Sequence, residues 1–262
     1  LVAATIALRE ITENYIGTAI LLVDETEEKV LSRSKDEFFS IASHELRTPL
    51  TAIRGNTSMM LDYYLADLKD DSLKEMIRDI HESAIRLIAI VNDFLDVSRL
   101  EQQKLEFKKE LVNLHELATE VVTELQPTAH PGVSIVVNQI QPEQTIVQAD
   151  KNKIKEVFIN LVGNALKFTD QGSVQITFTP KDKLVETAVS DTGKGVPPAN
   201  QPLLFRKFQQ AEENILTRDG TKGTGLGLYI SKLMIEGMGG TIWLAKSEPG
   251  SGTTFSFTLP TV

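Results

Sequence analysis

Leu73, Ile77, Ile80, Ala84, Leu87, Val91 and Phe94 follow one another at alternating steps of four and three residues. Apolar residues so spaced fall on one narrow stripe of an α-helix, and the alternation is that of a coiled-coil seam. An earlier run, Phe39, Ala42, Leu46, Leu50, Ile53 and Met60, also keeps helical spacing. Polar "ADLKDDS" separates the two, with Ser72 or Asp71 able to cap the second helix. Two antiparallel helices with one apolar stripe each cannot bury both stripes alone. The expectation is a helical hairpin over residues 25–106 that pairs with a second copy as a four-helix bundle. A bundle closed by the rest of the same chain is the alternative.

The flanks read differently. Residues 1–24 hold two β-like runs, "LVAATIAL" and "YIGTAILLVD". Two strands alone are marginal in water, so this stretch reads as the tail of a truncated domain, in a chain that opens on Leu1. Residues 110–262 mix strands and helices. "VSIVVNQI" and "QTIVQAD" read as strands, "KNKIKEVFINLVGNALKF" as a helix capped by Asp150, and "SVQITFTP" with "LVETAVSD" as a hairpin. A glycine-rich loop leads into the helix "LGLYISKLMIEGM". Then "GTIWLAKS" and "GTTFSFTLP" read as strands around the turn "EPGS". This order predicts an α+β domain, helices against one mixed sheet, and not a doubly wound fold.

The net charge of −9 argues against broad nucleic-acid binding, because a phosphate-backbone binder needs a basic face. There is no cysteine, which removes disulfides and cysteine metal sites and suits a reducing compartment. No apolar run reaches the roughly 18 residues that a bilayer span needs. The expectation is a cytoplasmic fragment without membrane contact of its own, with anchoring of a longer protein left open.

"SHELRTPLTAI" places His44, Glu45, Thr48 and Pro49 in the first helix. At about 100° per residue from Phe39, the apolar stripe falls between roughly 300° and 20°, His44 at about 140° and Thr48 at about 180°. His44 and Thr48 thus share an outward face, one turn apart. That weakens the case for a core histidine and leaves an idle surface one as the alternative. Pro49 lacks the N–H that would bond the Glu45 carbonyl, and costs about 3 kcal/mol or more inside a helix. A hinge on that turn would re-aim the imidazole; the other option is a helix that stops at Thr48 and restarts.

On the helix over 151–168, Ile154, Val157, Phe158, Leu161 and Ala165 form an apolar face, opposite Glu156, Asn160, Asn164 and Lys167. A solvated face is the usual meaning of such residues, but two mid-helix asparagines are poor helix formers and need a reason. Stacked amides can ligate Mg²⁺ through oxygen. In "VSDTGKGV", Asp191 stands at a strand end and can accept a hydrogen bond from an adenine amino group, while Gly193 and Gly195 allow close backbone approach. A tight turn is the plainer meaning. Gly223, Gly225 and Gly227, in "GTKGTGLGLYISK", precede a helix whose free amides suit phosphate. Their spacing is neither that of a Walker loop nor that of a dinucleotide fingerprint.

In this order the stretches resemble the boxes of the HisKA-type sensor histidine kinases of two-component signalling. "SHELRTPLTAI" resembles the phosphoacceptor box, "NLVGNALKF" the N box, "VSDTGKGV" and "GTKGTGLGLYISK" the glycine-rich boxes, and "LLFRKFQQ" the F box. The resemblance implies a helical hairpin, a four-helix bundle as a homodimer, followed by an α+β sandwich of Bergerat or GHKL ATPase type. It implies ATP-dependent phosphorylation of His44 and transfer to an aspartate of a response regulator receiver domain, with a reverse phosphatase role. His44 would be the nucleophile, Glu45 the acceptor of its other ring proton, and Thr48 the residue that orients water. Asn164 would hold Mg²⁺, Asn160 and Lys167 would face the phosphates, Phe168 would line the adenine pocket, and Thr253 in "GSGTTF" would touch its adenine end. Phe205 and Phe208 would be the F-box aromatics, and residues 207–222 a lid over ATP. Gly223, Thr224, Gly225, Leu226 and Gly227 would form the last glycine-rich box. Arg206, Lys207, Arg218 and Lys222 put positive charge nearby, with surface solubility an equal reading of each. "GTAILLVDETEEK" is similar to the end of a PAS sensor domain, although Asp24-Glu25-Thr26 departs from the usual Asp-Ile-Thr; a signalling helix alone is the alternative. The competing functions are a GHKL-type ATPase and a degenerate signalling scaffold. His81, beside the second seam, and His115 and His130, in or near linkers, read as structural or idle.

Overall fold

A computed structural model describes residues 2–9, 15–23, 45–65, 68, 70–101, 105–207, 209 and 225–261, the two N-terminal strands by backbone alone. The expectations on His44, Phe208, Gly223, Thr224 and most of the lid fall outside the described residues. Two compact units divide the chain, Leu1–Leu95 and Asp96–Val262.

In the first unit, β1 (Val2–Arg9) and β2 (Tyr15–Val23) pair antiparallel, as their apolar runs suggest. Residues 45–59 are α-helical (α1), and a π-helical turn, Met60–Tyr64, follows. The helix continues through Pro49 and does not stop at Thr48. The second helix, α2 (Asp71–Glu101), is capped by Asp70 rather than by Ser72 or Asp71. Asp70 Oδ1 accepts from the N–H of Ser72 at 2.9 Å and of Leu73 at 3.4 Å. Asp71 turns instead to Lys74, at 2.8 Å.

Two polar contacts set the antiparallel register of α1 and α2. Arg47 donates twice to Asn92 Oδ1, at 2.7 and 3.2 Å. The buried Thr57 hydroxyl lies 2.9 Å from the Ile53 carbonyl oxygen and 2.9 Å from His81 Nδ1, within hydrogen-bond reach of both. His81 is therefore a structural residue. Along the seam, Ile77, Ala84 and Val91 are buried, whereas Leu73, Ile80 and Leu87 stay 41–48% exposed. Every second seam position is covered within one chain.

The second unit begins inside α2. Val97 and Leu100, in the last turns of that helix, join the core of the unit that follows. This is why the compact units divide at Leu95 and not in the loop after the helix. A short antiparallel pair joins β3 (Glu110–Asn113) to β5 (Ile146–Ala149). The main sheet has the order β4-β6-β7-β9-β8. Its strands are β4 (Val133–Val137), β6 (Gly172–Lys181), β7 (Leu184–Asp191), β8 (Thr241–Glu248) and β9 (Gly252–Pro260). Only β4 runs parallel to its neighbour; the remaining pairs are antiparallel.

Alternate residues of β6, Val174, Ile176 and Phe178, are buried in the core that the sheet shares with α3 (Leu114–Leu125), α4 (Lys151–Lys167) and α5 (Gly227–Gly237). Their period of two is that of a sheet with one covered face. Phe158 of α4 meets Phe257 of β9 edge to face, 5.7 Å between centroids. This is the expected α+β layer, with helices on one mixed sheet. Among the described residues, no helix is long and apolar enough to cross a membrane.

Candidate nucleotide site

α4 is the element that organises the site. Asp150 caps it as expected, accepting from the N–H of Asn152 (3.1 Å) and Lys153 (3.2 Å). Ile154, Val157, Phe158, Leu161 and Ala165 are buried, which fixes the rotation of the helix about its axis. Asn160 and Asn164, one turn apart, are thereby turned out of the core. Asn164 Nδ2 donates to Asn160 Oδ1 at 3.3 Å, and Asn160 Nδ2 donates to the buried Ser231 hydroxyl of α5 at 2.9 Å. A side chain on Gly227, the first residue of α5, would run into the Asn160 amide. The start of α5 is thus packed directly on the asparagines of α4. Gly225, with φ +71°, turns the chain into this helix in a conformation that suits glycine. Leu226 beside it is buried.

The second cluster lies at the far end of β7. Asp191 Oδ1 accepts from the N–H of Gly193 (2.9 Å) and of Thr253 (3.2 Å). Burial holds this carboxyl above the usual carboxylate range, against the opposing pull of those two amides. Both bonds use one oxygen and leave Oδ2 as the acceptor a ligand would meet. The Thr253 hydroxyl sits 3.1 Å from that of Ser247, which accepts from the N–H of Val196 at 2.8 Å. The loop after Asp191 is tied to α4, because Lys194 N–H donates to the Phe168 carbonyl at 3.1 Å. A Cβ at Gly193 would strike that carbonyl, and one at Gly195 (φ +68°) would strike the Glu248 carbonyl. The close approach these glycines allow is to the chain's own backbone.

Other candidates are placed differently from the simple expectation. Lys167 Nζ lies over the Phe168 ring, 5.4 Å from its centroid, and that ring is 42% exposed. Phe205 meets Phe255 edge to face at 6.0 Å, on the margin of the core. Lys207 reaches Glu101 at 2.6 Å and covers the Tyr229 ring. Tyr229 donates to the same carboxylate. Burial, reinforced by Glu101, pushes the phenol up to about 12, so it remains a donor at neutral pH. Lys207 is therefore held by Glu101. His115 lies not in a linker but in the first turn of α3, its ring 5.9 Å from that of Phe178. Glu45 and Thr48 lie exposed on α1 in the other unit.

Two side chains of the site escaped the sequence reading, Ser231 and Ser247. For Ser231 a signal existed: a small hydroxyl four residues after Gly227 lies on the same helix face. The partners that matter are 71 residues away in the chain.

Comparison with known proteins bears on both units. Residues 34–103 match the His Kinase A (phospho-acceptor) domain, and residues 149–262 the histidine kinase-, DNA gyrase B- and HSP90-like ATPase domain. The chain is 36% identical over 261 residues to the signal transduction histidine-protein kinase BarA of Escherichia coli (strain K12), covering 97% of this chain and 28% of that protein. It is 36% identical over 230 residues to the circadian input-output histidine kinase CikA of Synechococcus elongatus, covering 87% of this chain and 30% of that one. The chain thus spans less than a third of the length of these relatives. Full-length ShkA, solved in complex with AMPPNP, superposes with a TM-score of 0.68 at 30% identity, over 86% of this chain and 45% of that one. The histidine kinase ThkA, solved with the response regulator protein TrrA, gives 0.57 at 25% identity, over 99% and 75%. A phospho-acceptor hairpin followed by an ATPase sheet, matched in sequence and in fold, makes this chain a member of the sensor histidine kinases.

Proposed function

We propose that the chain binds ATP at the ends of α4 and β7, phosphorylates its own His44, and passes the phosphoryl group to an aspartate of a response regulator. The amide relay on α4, set beside a half-buried carboxylate with one oxygen left over, is the observation that carries this. Asp191 accepts a hydrogen bond from the adenine amino group, and Thr253, bonded to Asp191 through its N–H, shapes the same end. Asn160 and the start of α5 face the phosphates, where helix N-terminal amides favour negative charge. The donor set fits Mg²⁺, a hard cation that takes oxygen. The relay uses the N–H of Asn164 and leaves its carbonyl oxygen for the ion, which when bound neutralises charge on the phosphates. Lys167 and Phe168 flank the site, and Phe205 supports it from the core margin.

At His44 the ring nitrogen forms a bond to the γ-phosphorus as the bond to the bridging oxygen of ADP breaks. Glu45 takes the proton from the other ring nitrogen. Thr48, a turn further on, orients water for the reverse phosphatase step. Leu73, Ile80 and Leu87, exposed in one chain, support a homodimer joined along α2.

Incubation with γ-labelled ATP and Mg²⁺ tests this. The label is expected to be acid-labile, to be absent from His44→Ala although nucleotide still binds, and to be lost from Asn164→Ala in its Mg²⁺-dependent part. Retained label in His44→Ala overturns the assignment.

A further inference from the structure

Ser231 is 2% exposed and stands at the inner end of the amide pair. Its hydroxyl oxygen accepts from Asn160 Nδ2, and Asn160 Oδ1 accepts from Asn164 Nδ2. The three side chains form one polarised chain that runs from α5 to the outer end of the α4 pair. An amide has a donor end and an acceptor end of nearly equal size, so packing alone does not choose between them. The Ser231 hydroxyl is the inner partner of Asn160; a hydroxyl can give or take a hydrogen bond, and here it takes one. With the Ser231 oxygen at its inner end, Asn160 keeps its N–H₂ inward and its oxygen toward Asn164. Asn164 must then give an N–H to that oxygen and turn its own carbonyl oxygen outward. A Cβ added at Gly227 would strike the Asn160 amide, so the start of α5 packs directly against it.

We infer that Ser231 is a positioning residue for the divalent cation. It anchors the Asn160 amide, and through it holds the carbonyl oxygen of Asn164 toward Mg²⁺. This rests on the proposed nucleotide site and adds to it a residue that touches neither metal nor phosphate. In Ser231→Ala the inner N–H₂ of Asn160 loses its buried acceptor. The relay then loses its inner anchor, and the carbonyl oxygen of Asn164 is no longer held toward the cation.

The test is fluorescent, non-hydrolysable ATP titrated against the 262-residue chain, once in EDTA and once across a Mg²⁺ series. For Ser231→Ala the expected result is an unchanged affinity in EDTA and a rise of about tenfold in the Mg²⁺ concentration for half-maximal enhancement, the size of loss typical of side chains that orient a metal ligand. Ser231→Thr, which keeps the hydroxyl, is expected to restore the wild-type Mg²⁺ response. An equal loss with and without Mg²⁺ would show a packing role and overturn the inference, as would a wild-type Mg²⁺ response in Ser231→Ala. If the wild-type chain binds nucleotide with no Mg²⁺ dependence, the relay assignment fails while nucleotide binding stands. If it binds no nucleotide at all, the proposed function falls with it.

Discussion

The Asp191 carboxyl is raised by burial more than the amides of Gly193 and Thr253 lower it. A group raised on folding contributes stability that is fully present below its unfolded value, 3.8, and is lost as pH rises through the folded one. At neutral pH the ionised side chain therefore opposes folding. Asp191→Asn keeps an oxygen for both amides and removes the charge. It is expected to melt higher than wild type at pH 7, with the gap closing as pH falls toward 3.8, while losing ATP affinity. Thermal unfolding at the two pH values, beside a nucleotide titration, checks both parts. The residue types at this site were readable because the chemistry demands them: an acid at a strand end, paired amides, glycines before a helix. Their reasons were less readable. Gly193 and Gly195 stand against the carbonyls of Phe168 and Glu248, contacts that spacing along the chain does not display.

Among the elements, β7 contains one internal contradiction. Thr187 is fully buried in its middle, and its hydroxyl has no hydrogen-bond partner. A buried hydroxyl left unpaired costs about 1–3 kcal/mol. Thr187→Val, of the same shape, is expected to stabilise the second unit by about 1 kcal/mol in urea unfolding without altering nucleotide affinity. α3 carries a like feature, the buried and unpartnered Nε2 of His115, and the sequence reading passed over that helix together with β3. Its start signals were in place: Asn113 accepts from the N–H of Glu116 at 3.2 Å and donates back to its carboxylate at 3.1 Å. The pair β3–β5 was hidden for a different reason, since four-residue strands carry too little alternation to stand out. The hairpin helices and the β6–β7 pair, with longer repeats, were plain. The π-helical turn at Met60–Tyr64 interrupts an otherwise regular helical pattern, and the spacing of apolar residues gave no sign of it.

For the whole molecule, a helical hairpin followed by a mixed-sheet layer was legible from periodicity, because each layer has its own period. The division between compact units was not, because α2 runs through it and lends Val97 and Leu100 to the second core. The exposed half of the seam predicts that a double variant, Ile80→Glu with Leu87→Glu, sediments as a monomer and retains the melting of the second unit. Light scattering and calorimetry on the same sample test this together. The alternation along α2 has a wider consequence. Ile77, Ala84 and Val91 are shielded whether or not a second copy is present, and Leu73, Ile80 and Leu87 are not. Closing the hairpin and joining two hairpins thus draw on separate sets of side chains. Dilution is expected to lower the melting temperature of the hairpin smoothly, as mass action requires of anything held by self-association, while the ATPase layer melts at one temperature throughout.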